Sequence, residues 1–382
     1  MKTNSKQAED AALIELGAPS LGDAEKRALC AVIDDGWLTM GERVRRFEEL
    51  FAVMHGASDA VAVNSATAAL HLSLQVFDVG RGDEVLVPSL TFVAASNVVV
   101  HCGATPVFVD IDGAHSPHLS MADAQSKLTA RTKAVMLMHY GGFVIDVAPW
   151  REFADRNGLL LLEDAAHTAG MPGMGTLSDA ASFSFFTNKN MTTAEGGMLI
   201  VRDAERRQRA RALRGHGMTA STLDRTKGRA VGYDVIDVGH NFRMDELRAA
   251  IGLVQIERLL GWNEARRTLV SHYRRTLKRS LPEVEVPFSD NHATSGHIMP
   301  VLLPAGADRQ RVMQRMREQN VQTSMHYPPI HTFTHYRKAF PTPPLPQTER
   351  FCERQLTLPL HPQLTPEHVD RVVMALATSL QP

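Results

Sequence analysis

Cysteine is scarce in this sequence. Only three of the 382 residues are cysteines, no Cys-x-x-Cys pair occurs, and the three lie far apart as Cys30, Cys102 and Cys352. This spacing gives no sign of a disulfide framework or of a zinc site built from thiolates. It predicts a protein of a reducing compartment.

An excess of charge of one sign and long hydrophobic runs are missing as well. The formal net charge is −1, which provides no electrostatic footprint for nucleic acid or an acidic membrane. No apolar run approaches the roughly 20 residues that span a bilayer. The N-terminal stretch MKTNSKQAEDAALIEL also lacks the apolar core of a signal peptide. We therefore expect a cytoplasmic globular protein that binds neither nucleic acid nor membranes.

Short apolar runs that alternate with helical patterns fill the first two thirds of the chain. Continuous apolar runs bounded by turns are typical of strands buried on both faces, and their alternation with helices predicts an α/β fold with a mostly parallel sheet. Ligands bind at the carboxyl ends of strands in such sheets. The predicted strands are Ala60–Val63, Glu84–Val87, Pro106–Asp110, Ala134–Met138, Leu159–Leu162 and Gly197–Val201.

The pattern changes after Asp245. Two long helices are predicted over Asp245–Leu260 and Asn263–Leu281, and a last helix over Pro366–Ser379. Between them, short strands within residues 296–304 and 321–327 flank a helix at 308–319. We interpret this part as a smaller α+β domain, and predict a division into residues 1–254 and 255–382.

An acid and an amine at predicted strand ends indicate the chemistry. Asp164 follows the apolar run in LLLLEDAAHTAG, and Lys189 stands among small uncharged residues in SFFTNKNMTTAEGGM. Alone, Asp164 would be interpreted as a helix N-cap. Together they are what pyridoxal 5'-phosphate (PLP) requires: a lysine that forms a Schiff base, and an acid that keeps the pyridinium nitrogen protonated.

PLP also needs a phosphate site and a stacking partner. The segment NSATAA lies between the first predicted strand and its helix, where N–H groups and the helix dipole favour a dianion. An ordinary serine or threonine cap is the alternative there. Ser184 offers a hydroxyl, and Phe92 offers a ring that is either part of the core or stacked on the cofactor.

These motifs resemble the DegT/StrS family of sugar aminotransferases, PLP enzymes of fold type I. The resemblance runs nearly end to end, through DDGWLTMGERV, NSATAALH, PSLTFVAASN, EDAAHTAG, NKNMTTAEGGM, GHNFRMDELRAA and HYPPIH. It implies a large domain with a mostly parallel seven-stranded sheet. It also implies a transfer of nitrogen from an amino acid, usually glutamate and less often glutamine, to a keto-sugar, most often nucleotide-linked, in glycan or natural-product biosynthesis.

The resemblance also implies roles for matching residues. Lys189 is the Schiff-base lysine, Asp164 the pyridinium partner, and His167 lies beside the cofactor's 3′-oxygen. Asn241 reaches the phosphate of a partner subunit, so the enzyme is expected to be a homodimer with shared active sites. The other implied contacts are Ala66, Thr67, Ala68 and Ser184 for the phosphate, Phe92 for stacking, and Trp37, Thr39, Arg243, His326 and Tyr327 for the substrate.

Two alanines depart from the family pattern. Ala66 and Ala194 replace glycines. A methyl group fits at both positions if φ is negative there, and we expect both alanines to be tolerated. The lysine itself agrees with amino transfer, because a dehydratase branch of the family carries histidine in its place. The rival hypotheses are therefore a PLP-dependent sugar dehydratase or lyase, and a regulatory protein that keeps the fold without turnover.

Three histidines near the end of the chain raise the question of a metal. Pro328 and Pro329 interrupt the spacing of His326, His331 and His335, so that the three do not share one helix face, and no nearby carboxylate completes a ligand set. We predict no metal site, and of these three histidines we assign only His326 to substrate binding.

Overall fold

The structure is a computed structural model and describes residues 12–381. The first 11 residues, which include most of the stretch inspected for a signal peptide, lie outside the described residues. Within the described part, no helix has the combination of length and hydrophobicity that a membrane span requires.

A seven-stranded sheet forms the centre of the molecule. Its strands are β1 (Val61–Val63), β2 (Glu84–Pro88), β3 (Thr105–Val109), β6 (Thr132–Met138), β7 (Leu160–Asp164), β8 (Ala180–Ser184) and β9 (Gly197–Val201). They lie in the order β1-β9-β8-β7-β6-β2-β3. The strand β9 runs antiparallel to both of its neighbours and the other pairs are parallel. The predicted α/β class with a mostly parallel sheet is therefore confirmed.

The sheet is covered on both faces, as the continuous apolar strands predicted. Alternate residues of one strand enter different core clusters: in β8, Ala180 packs with the helices that follow β1 and β2, whereas Phe183 packs with the N-terminal helices. The α-helices before residue 245 are α1 (Asp23–Asp35), α2 (Glu42–His55), α3 (Ala66–Gln75), α4 (Ala94–His101), α5 (Met121–Ser126), α6 (Val147–Asn157), α7 (Ala204–Leu213) and α8 (Thr222–Thr226).

One helix, α9 (Glu246–Ser280), replaces the two helices predicted over residues 245–281. Gly261 weakens a helix by only about 1 kcal/mol, and packing on both sides of it keeps the helix continuous. Ile256 and Leu259 pack against the large sheet, whereas Leu269 and Tyr273 enter a separate C-terminal core. The proposed boundary at residue 254 falls inside this helix, and the division into two domains stays a prediction.

The C-terminal part has a core of its own around an antiparallel pair of strands. β10 (Met299–Leu302) pairs with β11 (Gln355–Leu358), so that Met299 lies opposite Leu358. A small hairpin, β4 (Ile111–Gly113) with β5 (Ser116–Leu119), lies near the large sheet. The remaining helices are α10 (Arg309–Glu318), α11 (Thr334–Ala339), α12 (Pro346–Arg354) and α13 (Pro366–Leu380).

The strand predicted within residues 321–327 is wrong. Val321 and Ser324 form only single bridges, to Ile14 and Thr357, and no ladder connects them. The N–H of His326 donates instead to the side chain of Gln355. This irregular segment brings His326 and Tyr327 to the carboxyl edge of the large sheet.

Candidate active site

Asp164 is the last residue of β7, at the carboxyl edge of the sheet. Its side chain is 4% exposed, and one carboxylate oxygen accepts the N–H of Ala166 at 3.1 Å. A turn follows, not a helix, so the N-cap alternative fails. Burial raises the pKa of Asp164, and the positive charge of Lys189 only partly opposes this rise.

Lys189 lies in a turn five residues beyond the end of β8, not at the strand end as predicted. Its N–H donates to the carbonyl of Phe186. The amine Nζ lies 3.4 Å from Nε2 of His297. Burial lowers the pKa of Lys189 to about 8, against the attraction of Asp164. The amine is therefore far more often neutral at physiological pH than an ordinary lysine, as a nucleophile must be.

His167, three residues after Asp164, contacts the irregular C-terminal segment. Its Nε2 lies 3.1 Å from the hydroxyl of Tyr327, and its ring lies 4.2 Å from that of His297. The other ring nitrogen, Nδ1, is buried and has no hydrogen-bond partner among the described residues. Burial lowers the pKa of His167 well below its ordinary value, so the ring is neutral.

Strand register brings the predicted phosphate residues to one place. Val63 lies opposite Gly197, and Gly197 lies opposite Ser184, so the ends of β1 and β8 meet at the start of β9. A Cβ on Gly197 would lie 2.5 Å from the backbone of Ser65. Only glycine allows this approach.

Helix α3 begins at this meeting point. Ser65 is its N-cap and accepts the N–H of Ala68, which leaves the N–H groups of Ala66 and Thr67 directed out of the helix. Thr67 is exposed. These donors, the helix dipole and the hydroxyl of Ser184 suit a dianionic group.

The two departures from the family pattern have different outcomes. Ala66 is the first residue of α3, where φ is negative and a methyl group fits. Ala194 has φ 67°, so its φ is positive and not negative, as a well-tolerated methyl group would require. Its backbone adopts the glycine-like conformation at a cost of about 1–2 kcal/mol. The turn is held by hydrogen bonds of Ala194 with the hydroxyls of Thr187 and Thr192.

Phe92 stands at the mouth of the site. It lies two residues before α4 and is 56% exposed, so it is not part of the core. Its ring lies 6.0 Å from that of Tyr327. An exposed ring next to Tyr327, whose hydroxyl contacts His167, is available to stack on a planar ligand.

The predicted substrate residues fall into two groups. His326 and Tyr327 lie with Lys189, which influences the pKa of His326. Thr39 and Arg243 line a different cleft, together with Arg45 and Arg211, and Lys189 is not among its lining residues. Trp37 is half-buried nearby and points its indole N–H towards the carbonyl of Met40.

Asn241 lies next to the predicted phosphate residues of its own chain. Its carbonyl accepts a hydrogen bond from the side chain of Asn64, two residues before Ala66, while Asn241 itself is exposed. The exposed side chain is available to a second subunit.

His297 is a residue beside Lys189 that the sequence did not reveal. It precedes β10, more than a hundred residues after Lys189, and no local motif marks it. Only the fold brings it to the amine. His326, His331 and His335 do not converge: His326 bonds to Thr357 and His331 to Ser89. In residues 12–381, no cluster of three or more histidine, cysteine or acidic side chains could hold a metal ion.

The residues fit PLP at this edge of the sheet. A buried acid, a lysine with a lowered pKa, an unpartnered ring nitrogen on His167 and a set of free N–H groups match its pyridine, aldehyde, 3′-oxygen and phosphate.

Comparison with known proteins agrees with this fit. The family model of DegT/DnrJ/EryC1/StrS aminotransferases matches residues 19–377. The aminotransferase TlmJ of Streptoalloteichus hindustanus is 33% identical, with 97% of this chain and 99% of TlmJ covered and a TM-score of 0.88. Spr1654 of Streptococcus pneumoniae in its PLP form is 27% identical over 96% of this chain and 98% of its own, with a TM-score of 0.86.

A third similar structure is DesI, solved in the presence of its TDP-sugar product. It is 30% identical, with 97% of this chain and 94% of DesI covered and a TM-score of 0.86. The matches confirm the predicted fold type, cofactor and reaction class. The chain belongs to the DegT/DnrJ/EryC1/StrS aminotransferase family and is a PLP-dependent aminotransferase acting on sugars.

Proposed function

We propose that the enzyme moves an amino group from an amino acid, L-glutamate in the first place, to the keto group of a nucleotide-linked sugar. The observation that carries this proposal is the pairing of a buried Asp164 with a Lys189 whose pKa is lowered to about 8. We place the reaction in the cytoplasm, in the synthesis of a polysaccharide or of an antibiotic or other natural product.

When bound, PLP supplies an aldehyde that joins to an amine and a ring that takes up negative charge. Asp164 would hold a proton on the ring nitrogen, because a carboxylate buried beside it favours the positive ring. Lys189 would form the covalent link and, when released, carry a proton between the two carbons that exchange it. His167 would donate or accept at the 3′-oxygen through Nδ1.

Two residue sets would bind the remaining groups. The N–H groups of Ala66 and Thr67, helped by Ala68 and Ser184, would hold the phosphate, and Phe92 would stack on the ring. For the sugar substrate we propose His326 and Tyr327, which lie with Lys189, Thr39 and Arg243, which line the second cleft, and Trp37 near that cleft. A guanidinium such as that of Arg243 suits an anionic group of a nucleotide-linked substrate.

The test is a single-turnover reaction in which the absorbance of the enzyme is monitored. With PLP bound, L-glutamate is expected to shift the visible-edge band to shorter wavelength, and a TDP-linked keto-sugar is expected to restore it with formation of an amino-sugar. The same keto-sugar without a nucleotide is the matched control. A deoxy or keto product without net gain of nitrogen would favour the dehydratase, and no spectral change with any amino acid would favour the regulatory protein.

We also propose a homodimer in which Asn241 binds the phosphate of its partner. Two observations support it: the side chain of Asn241 is exposed, and apolar residues of the preceding segment, Val231 and Val238, are 107% and 84% exposed. Exposed apolar residues in one segment are typical of a protein interface.

Mixing two inactive variants tests the shared site. Lys189→Ala retains an intact Asn241, and Asn241→Arg retains an intact Lys189, so each mixed dimer contains one complete site. Half of the dimers are mixed after random reassociation, and we expect recovery of about a quarter of the wild-type rate. Rate assays after co-refolding, with each variant alone as control, measure it. Sites built within one chain would give no recovery.

A further inference from the structure

A chain of buried hydrogen bonds leads from a backbone carbonyl to the amine of Lys189. Nδ2 of Asn263 donates to the carbonyl of Ala169 at 3.0 Å. Oδ1 of Asn263 accepts from Nδ2 of Asn190 at 2.7 Å. Oδ1 of Asn190 lies 2.9 Å from Nδ1 of His297, whose Nε2 faces Lys189 at 3.4 Å. The exposed fractions of Asn263, Asn190 and His297 are 0%, 3% and 5%.

This chain fixes the tautomer of His297. Backbone carbonyls accept and never donate. Asn190 donates Nδ2 both to Asn263 and to the carbonyl of Ser295, so its other atom, Oδ1, must be the acceptor that faces His297. Nδ1 of His297 therefore carries the hydrogen, and Nε2 presents a lone pair to Lys189.

The surroundings keep the His297 ring neutral. Burial lowers its pKa well below the ordinary value, and the positive charges of Lys189 and Arg266 act in the same direction. The titratable groups that act on Lys189 or on His297 are Asp164, His167, His326 and Arg266. Of these, only Asp164 favours the ammonium form of Lys189.

We propose that His297 is a positioning residue, which holds the Lys189 amine by accepting one of its N–H groups at Nε2. The inference rests on the proposed role of Lys189. An amine with one N–H fixed no longer rotates freely, and its lone pair and remaining N–H keep one direction. Whenever Lys189 is not joined to the cofactor, His297 keeps it beside Asp164 and His167, where a proton is to be moved.

A structural role alone does not require this arrangement. Burying a chain of amides and an imidazole is stabilising only if every member is satisfied, and an apolar cluster of equal volume would fill the same space. The chain ends at a lysine amine, which is the group that the reaction must release and recover. Nε2 of His297, the neutral acceptor beside this lysine, orients the amine by accepting a hydrogen bond from it, which packing alone does not do.

The experiment measures Lys189 directly in the full-length protein freed of cofactor. Competitive acetylation with acetic anhydride over a pH series, read by peptide mass spectrometry, gives the midpoint at which the amine becomes reactive. The wild-type midpoint is expected near pH 8, because the pKa of Lys189 is lowered to about 8. A hydrogen bond accepted from a charged donor is stronger than one from a neutral donor, so Nε2 favours the ammonium form.

Two variants separate the effect of the hydrogen-bond acceptor on His297 from the effect of its side-chain volume. His297→Leu fills a similar volume without an acceptor, and we expect its midpoint about one pH unit lower. His297→Gln keeps an acceptor directed at Lys189, and its midpoint is expected to stay near that of the wild type. His118→Leu is the matched control, because His118 is another buried histidine and, within the part of the chain that the structure describes, its ring hydrogen-bonds only to the carbonyl of Phe143. Its midpoint is expected to be unchanged.

The acetylation midpoints of Lys189 support or overturn the proposed role of His297 without any measurement of enzyme activity. Equal midpoints in the wild type and His297→Leu would overturn it in favour of packing. A higher midpoint in His297→Leu would overturn it in favour of a charged imidazolium. Because the labelling reports Lys189 without cofactor, it is independent of the glutamate test, whose failure would contradict the proposed function instead.

Discussion

Replacing Lys189 with alanine is expected to slow amino transfer by at least about 10⁴-fold. The amine serves as nucleophile and as proton carrier. The neighbouring His167 and His297 do not replace it, because an imidazole does not form a Schiff base and because burial lowers the pKa of both rings, which makes them weak proton acceptors. Single-turnover absorbance with L-glutamate measures the loss. Added methylamine is expected to restore a small part of the rate, because it supplies an amine in the vacated space.

The matched control is Lys133→Ala. Lys133 lies on β6 but is exposed, and its removal is expected to leave the rate unchanged. If Lys189→Ala kept more than a tenth of the wild-type rate, the lysine would be a structural residue and the assignment of the site would be wrong.

The sequence was informative where chemistry depends on local patterns. Lys189 stands among small uncharged residues, and Asp164 follows an apolar run, so both could be recognised without the fold. The strands were predictable for the same reason, since a continuous apolar run has few alternatives in a protein of this composition.

Tertiary contacts decide what could not be predicted. The continuity of α9 through Gly261 depends on packing partners far away in the chain. His297 reaches Lys189 through the C-terminal part of the molecule, and its tautomer is fixed by Asn190 and Asn263 on two other elements. The positive φ of Ala194 likewise reflects a turn held by two threonines, which no single-residue propensity indicates.

Replacing Asp164 with asparagine is expected to change activity and stability in opposite directions. The carboxylate would hold the ring proton, and loss of one buried electrostatic partner costs about 10²–10³-fold in rate. The same carboxylate is costly to the cofactor-free protein, because burial raises the pKa of Asp164 and the attraction of Lys189 does not offset it. Asparagine removes the charge at nearly the same volume.

The sign of the stability change follows from linkage. An acid whose pKa is raised on folding adds to the free energy of unfolding. This stabilisation is complete below the acid's ordinary pKa and is lost as the pH rises through the raised value. The melting temperature of the wild type should therefore fall relative to that of Asp164→Asn as the pH rises from the ordinary pKa of an aspartate to the raised pKa of Asp164. At neutral pH we expect the cofactor-free variant to melt about 1–3 °C higher, measured by thermal denaturation over a pH series.

Asp110→Asn is the contrasting control. Asp110 is also buried, but it accepts hydrogen bonds from the backbone and hydroxyl of Thr348 and from the N–H of Gln347. Its replacement leaves donors unsatisfied, so it is expected to lower the melting temperature and leave the response to glutamate intact. A variant Asp164→Asn that is less stable than the wild type and fully active would show that this carboxylate is a structural acceptor, as Asp110 is, and not the partner of a positive ring.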